Sequence, residues 1–348
     1  MHWSTPALYQ DADYQDVLAT YRIDEAEHVA RLLDVAALDD AAARDVEKRA
    51  ADLVSIVREK ATEGGGIDAF MAEYELSSAE GVVLMCLAEA LLRIPDAETI
   101  DKLIEDKIGG SNWESHLGES KSWFVNASTW GLMVTGRMLR RDDLPERNFR
   151  STLQRMVRRS GEPFIRQAVR RAMRVMGHQF VMGRTIREAI KNARALEKRG
   201  YSYSYDMLGE AARTDADAQR YFDDYHNAIV ACGEESRDRG PEVAPGVSVK
   251  LSALHARYEL GHRERVIAEL YPRLQQLARL AAKYDINLTI DAEEADRLDL
   301  SLELFEMASG DALLGDWQGL GLALQAYQKR ALDVIDWLAV VGRRHGRR

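Results

Sequence analysis

The second half of the chain carries four short apolar stretches, each closing on a polar residue and each leading into sequence with helical periodicity. They run from Tyr201 to Asp206, Val247 to Lys250, Asn287 to Asp291 and Gly319 to Gln325. Their end residues are 44, 41 and 34 positions apart, room each time for one strand and one returning helix. That cadence predicts a parallel sheet, as a β/α barrel or a doubly wound sheet, with chemistry collected at the carboxyl ends of the strands. It stops at Arg348. An eight-unit barrel takes roughly 250 residues, whereas 148 lie between Tyr201 and Arg348, so the chain reads as ending in mid-barrel after four units.

Two further segments precede these units. Residues 1–62 are acidic and helix-prone. Asp11 to Tyr21 and Asp24 to Leu38 carry enough apolar residues to dock, without a strong core pattern, and read as a helical arm lying across another part of the protein. Gly64 to Gly66 mark a break. Residues 63–180 read as a helical domain. Ser77 to Glu80 form a capping box, Val82 to Leu92 are almost continuously apolar, and Pro95 and Asp96 divide this helix from the next. Trp113, Trp123 and Trp130 sit in a packed connection. Twelve arginines between Arg137 and Arg174 read either as a phosphate-binding surface or as the solvated face of amphipathic helices. Interleaved acids and the apolar set Met156, Phe164, Val169 and Met173 favour the second reading.

Residues 181–348 read as the partial barrel. Thr185 to Arg199 predicts a helix ended by Gly200, and helical sequence returns at Asp215 to Cys232, Arg263 to Lys283, Leu300 to Ala308 and Gln328 to Val341. Pro272 opens a new helical segment or kinks a longer one. Gly342 to Arg348 reads as a loop heading for a fifth strand.

Composition removes several classes of function. No apolar run approaches the ~18 residues that span a bilayer, and the start, Met1-His-Trp-Ser-Thr-Pro6, is not a targeting peptide. Cys86 and Cys232 read as reduced core residues of a cytosolic protein. A net charge of −10 argues against nonspecific nucleic-acid binding. The histidines lack zinc-site spacing, so no metal is expected. Gly319 and Gly321 are not followed by a dinucleotide fingerprint, and no Walker motif or Gly-x-Ser-x-Gly elbow occurs.

Chemistry therefore falls to the strand ends. Lys250 is costly to bury unless a charge meets it, and Asp206 and Asp291 end the neighbouring strands. The three form either a site or an ion-pair network that only fixes strand ends. Glu293 and Glu294 read as caps of the following helix. Gln325, ending its strand with both a donor and an acceptor, suits the edge of a heteroaromatic ring or a loop backbone. Met207, after Asp206, either offers an apolar side chain to a planar ligand or belongs to an ordinary strand-to-helix turn.

Four segments resemble bacterial proline dehydrogenase: Tyr205-Asp-Met-Leu-Gly-Glu-Ala-Ala212, Val249-Lys-Leu-Ser-Ala-Leu-His255, Ile290-Asp-Ala-Glu-Glu294 and Leu324-Gln-Ala-Tyr-Gln-Lys-Arg330. The likeness is to the form found in bifunctional proline utilization proteins, which add an aldehyde dehydrogenase half. Ser77 to Asp96 and Trp123 to Gly131 resemble the helical region of those proteins. The resemblance implies an N-terminal arm and helical domain followed by the first half of a (β/α)8 barrel. It implies FAD as cofactor, L-proline as substrate, Δ1-pyrroline-5-carboxylate as product and a membrane quinone as electron acceptor. By carry-over, Lys250 binds the substrate carboxylate, Asp206 and Asp291 are polar neighbours of substrate and flavin, and Gln325 and Met207 face the flavin. A cytoplasmic, homo-oligomeric protein is implied, with transient association at the inner membrane and no nucleic-acid partner. The family's next flavin-contacting strand and its carboxylate-gripping arginine pair have no counterpart before Arg348. Two other readings stay open: a Schiff-base aldolase with Lys250 as nucleophile, and a non-catalytic helical docking or oligomerisation fragment.

Overall fold

The computed structural model describes residues 6–63 and 181–348. The capped helix after Ser77, the tryptophan connection, the arginine-rich stretch and Cys86 lie outside the described residues. Contacts group the chain into two compact units, residues 1–37 with 185–348, and residues 38–184.

The described helices are α1 (Gln15–Thr20), α2 (Glu25–Ala36), α3 (Asp40–Glu63), α4 (Ile186–Glu197), α5 (Asp215–Ser236), α6 (Leu251–Leu254), α7 (Arg263–Lys283), α8 (Leu298–Ser309) and α9 (Ala331–His345). The strands are β1 (Ser204–Asp206), β2 (Gly246–Val249), β3 (Leu288–Ile290) and β4 (Leu320–Leu322). In the second unit only α3 is described, an exposed helix with an Arg49–Asp45 pair at 2.8 Å.

Local signals account for the helix starts. The Thr185 hydroxyl accepts from the Glu188 N–H, and Thr214 and Asp217 complete a reciprocal capping box at the head of α5. Pro272 lies inside one continuous helix, α7. Gly200, at φ +92°, closes the turn after α4 in a conformation that costs other residues strain.

All four strands are parallel, in the order β1-β2-β3-β4. Each pairs with its predecessor in sequence. A doubly wound sheet needs a reversal of strand order, so the sheet is wound in one direction, as in a barrel. Right-handed crossovers then place every returning helix on the same face. That face is dry: Tyr205, Val247, Val249, Leu288, Ile290 and Leu320 are all at most 6% exposed. Ile229 and Cys232 from α5, and Leu270, Leu274 and Leu277 from α7, are fully buried with them.

The opposite face is polar and only partly covered. Asp206, Ser248, Thr289 and Gly321 lie side by side in the register of the ladder. The amide of Asn287 donates to the Gly319 carbonyl at 3.0 Å, and the Thr289 hydroxyl donates to Asn287 Oδ1 at 2.8 Å. A side chain at position 321 would put its Cβ 3.1 Å from Thr289 Oγ1, a tight contact that the glycine avoids. This is the interior face of a barrel wall.

The arm is more firmly anchored than its sequence pattern predicts. Leu8, Tyr14 and Val17 are at most 1% exposed and pack with Leu298, Leu302, Val334, Trp337 and Val341 of α8 and α9. Two short 3-10 turns, Ala7–Gln10 and Ala12–Tyr14, precede α1 and bring these residues to one side off any single helical period. The Tyr14 ring meets Trp337 edge-on at 5.3 Å, a geometry worth about 0.5–1.5 kcal/mol beyond area burial.

The tail also departs from expectation. Residues 342–345 continue α9 instead of forming a loop, and the helix ends at Gly346 with φ +64°. Arg347 then folds back, donating to the carbonyls of Ser309, Gly315 and Trp317 at 3.1, 2.8 and 2.7 Å. These backbone carbonyls hold the arginine, and the backbone turns with it.

Candidate functional site

Asp206 is the last residue of β1, while Lys250 and Asp291 each follow directly on β2 and β3. Ladder register therefore sets these ends side by side on the polar face. Lys250 Nζ donates to Asp206 Oδ2 and to Asp291 Oδ2, each at 2.6 Å. The lysine side chain is 14% exposed, against 44% for Asp206 and 27% for Asp291. Burial works to lower the lysine pKa, but the two carboxylates outweigh it and hold the group above the ordinary lysine value. Lys250 is a cation throughout the physiological range.

The backbone around this triad is fixed from behind. The Lys250 N–H donates to the buried Tyr225 hydroxyl at 3.1 Å, anchoring the strand end to α5. The Asp291 N–H continues the ladder to the Val249 carbonyl at 2.9 Å, and Asp291 Oδ1 accepts from the Ala292 N–H at 3.0 Å.

Gln325 does not end its strand. Pairing ceases after the Ala323 N–H bonds the Ile290 carbonyl at 2.8 Å, and Gln325 sits in the turn beyond. Its side-chain oxygen accepts from the Gln328 amide at 3.2 Å. It nevertheless shares with Asp291 a shallow, open cleft, whose walls include Glu293, Glu294, Ala323 and Gln328. Met207 is half-buried directly after Asp206. Asp206, Lys250 and Asp291 thus form one hydrogen-bonded cluster, and Asp291 and Gln325 face one cleft.

Glu293 and Glu294 do not cap the helix that follows them. Glu293 reaches across to the preceding unit, where its Oε1 accepts from the Ser252 N–H of α6 at 3.0 Å, and its Oε2 pairs with Arg297 at 2.9 Å. Glu294 pairs with Arg297 at 3.0 Å. Ser252 in turn accepts from the Ala211 N–H through its hydroxyl at 3.0 Å and from the Ala212 N–H through its carbonyl at 2.9 Å. The loops after β1, β2 and β3 are stitched edge to edge. Sequence reasoning missed Ser252 and Tyr225, because a serine in an apolar helix and a tyrosine on a helix face carry no periodic signal.

Among the described residues no cluster of His, Cys, Asp and Glu is arranged to hold a metal ion, and no helix is long and apolar enough to cross a membrane.

Comparison with known proteins fits this geometry. Residues 189–348 match the family model described as proline dehydrogenase. Residues 66–180 match the DNA-binding domain of proline dehydrogenase, and residues 15–58 the proline utilization A proline dehydrogenase N-terminal domain. The bifunctional protein PutA of Salmonella typhimurium is 49% identical over 351 residues, covering 100% of this chain and 26% of that protein. PutA of Rhizobium meliloti is 48% identical over 350 residues, covering 99% of this chain and 28% of that protein. A crystal structure of a mutant of Bradyrhizobium japonicum proline utilization A superposes with a TM-score of 0.62 at 42% identity, covering 94% of this chain and 32% of that one. The chain spans about a quarter of the length of these curated relatives. It belongs to the proline dehydrogenase family, within the PutA-like group.

Proposed function

We propose that this chain supplies the substrate- and flavin-facing rim of an enzyme that oxidises L-proline to Δ1-pyrroline-5-carboxylate, with FAD as cofactor and a quinone as electron acceptor. The observation that carries this reading is the lysine held between two aspartates. An ammonium has three donors, and two of them are engaged by Asp206 and Asp291. The third is left for a ligand carboxylate, while the flanking aspartates offer acceptor oxygens to a ligand ammonium. One donor cation between two acceptor anions complements a zwitterionic amino acid.

The residues also suit a flavin. Gln325 Oε1 is engaged by Gln328, and its amide nitrogen has no partner among the described residues, so it is placed to donate to an acceptor on a ring edge. FAD held beside Gln325 and Met207 would supply a hydride acceptor for the ring carbon next to the proline nitrogen. Lys250 fixes the carboxylate and so orients that carbon, Asp206 and Asp291 steady the lysine, and Met207 and Gln325 face the cofactor.

The raised lysine pKa disfavours the aldolase alternative, since a Schiff base needs a neutral amine. The domain division into 1–62, 63–180 and 181–348 is supported by family-model matches over 15–58, 66–180 and 189–348. A cytoplasmic homo-oligomer that meets its quinone at the membrane surface completes the proposal. The description of the model matched over residues 66–180 favours a second reading, DNA association by that segment. The net charge of −10 weighs against it, and anisotropy titration with duplex DNA at varied salt decides it.

The test is flavin loading followed by trapping. The chain is expected to take up FAD weakly, giving flavin absorbance that Gln325→Ala abolishes, and to show no proline:quinone turnover by itself. Borohydride trapping of a keto substrate on Lys250, without flavin uptake, overturns the proposal in favour of the aldolase.

A further inference from the structure

Arg330 is a charged side chain that the proposed chemistry does not use, and it is 1% exposed. It closes the loop after β4 and stands at the head of α9. Its Nη1 donates to Asp299 Oδ1, in the first turn of α8, at 2.8 Å, and its Nη2 donates to the Ala295 carbonyl at 3.0 Å. Asp299 and Ala295 belong to the segment that follows β3. Arg330 therefore ties the end of the β4 loop to the end of the β3 loop. Those loops carry Gln325 and Gln328 on one side of the cleft and Asp291, Glu293 and Glu294 on the other.

The arm covers this tie at four points. The Tyr21 ring centroid lies 4.1 Å from the guanidinium carbon, in stacking range. The Tyr14 hydroxyl donates to Asp299 Oδ1 at 2.6 Å, sharing the acceptor with Arg330. Lys329 Nζ donates to the Ile23 carbonyl at 3.0 Å, and the Thr20 hydroxyl donates to Asp333 Oδ2 at 2.6 Å. A buried guanidinium with one aspartate on its edge and one ring on its face is a rigid joint, because stacking and a charge-assisted hydrogen bond fix its plane in two directions. The arm contacts the two helix heads that carry the loops, not a remote surface.

We propose that Arg330 is a positioning residue for the cleft: it braces the β3 loop against the β4 loop, and the N-terminal arm, through Tyr14 and Tyr21, holds the brace in place. The role in ligand binding rests on the flavin and proline reading of the cleft; the brace itself does not.

Tyr21 is 37% exposed, so replacing it leaves the core intact. In hydrogen-exchange mass spectrometry, Tyr21→Ala is expected to speed amide exchange of residues 291–297 and 323–330 about tenfold while α5 and α7 keep their rates. Tyr21→Phe, which retains the ring, is expected to restore the loops. Unchanged loop rates in Tyr21→Ala, or a rise shared equally by α5 and α7, overturn the brace. A flavin fluorescence titration on the same proteins reads the second link. About tenfold weaker FAD binding by Tyr21→Ala supports a positioning role, and unchanged affinity with loosened loops overturns it. Wild-type chain that takes up no FAD overturns the flavin reading, and the exchange result still decides the brace.

Discussion

Replacing Lys250 with methionine keeps the length and volume of the side chain and removes its charge. The substitution leaves Asp206 Oδ2 and Asp291 Oδ2, each 2.6 Å from the vanished nitrogen, no more than twice that distance apart. Two like charges at such a separation repel by roughly 1–3 kcal/mol for an effective dielectric between water and a protein surface. The exposure of Asp206 argues for the lower half of that range. The sign with pH follows from linkage. In the wild type the lysine pKa is raised, so its stabilising contribution is complete below the ordinary lysine value near about 10.4 and is lost only at higher pH. The lysine's own protonation does not change across the acid range. In Lys250→Met the repulsion is relieved when the aspartate pair takes up a proton, and the folded state then binds more protons than the unfolded chain. The stability of the variant therefore falls as pH rises through the weakly acidic region. Urea unfolding at closely spaced pH values is expected to show a deficit against wild type that widens from about pH 4.5 to 7 by roughly 1–3 kcal/mol and then stays level. Adding Asp206→Asn is expected to remove the widening. A deficit independent of pH would refute the electrostatic account of the cluster.

Two more outcomes follow from the same contacts. Tyr14→Phe removes a buried hydrogen bond to a carboxylate and is expected to cost about 1.5–3 kcal/mol in urea unfolding, since Asp299 keeps Arg330 as its partner; a change under about 0.5 kcal/mol, the usual surface-substitution range, contradicts the arm's anchoring role. Lys250 is expected to be among the least reactive lysines toward an amine acylating reagent near pH 8, scored by peptide mass spectrometry. Prompt labelling there means a neutral amine and contradicts the raised pKa.

Period-two apolar runs followed by helical runs made the βα units legible, because such alternation has few other physical realisations. Lys250, Asp206 and Asp291 were legible for a related reason: charges closing apolar strands must meet each other or water. Gln325 shares a cleft with Asp291 but lies beyond the strand it was expected to end. The glycine-containing run Gly319 to Gln325 pairs only as far as Ala323, and nothing in its composition marks where the ladder stops. The arm's anchorage was hidden because 3-10 turns break the helical period that joins Leu8, Tyr14 and Val17. Arg330 was hidden because a Lys-Arg pair at a helix start reads as solvated, and only its partners Asp299 and Tyr21, distant in sequence, explain its burial. The extension of α9 through residue 345 was missed because Gly342 reads as a stop, whereas its helical neighbours tolerate it.

Ligand-observed NMR on the 348-residue chain tests the zwitterion site most directly. L-Proline is expected to show saturation transfer from the wild-type chain, cyclopentanecarboxylate much less, and neither any from Lys250→Met. Equal transfer to L-proline from wild type and Lys250→Met would contradict the claim that Lys250, set between Asp206 and Asp291, is what the substrate carboxylate meets.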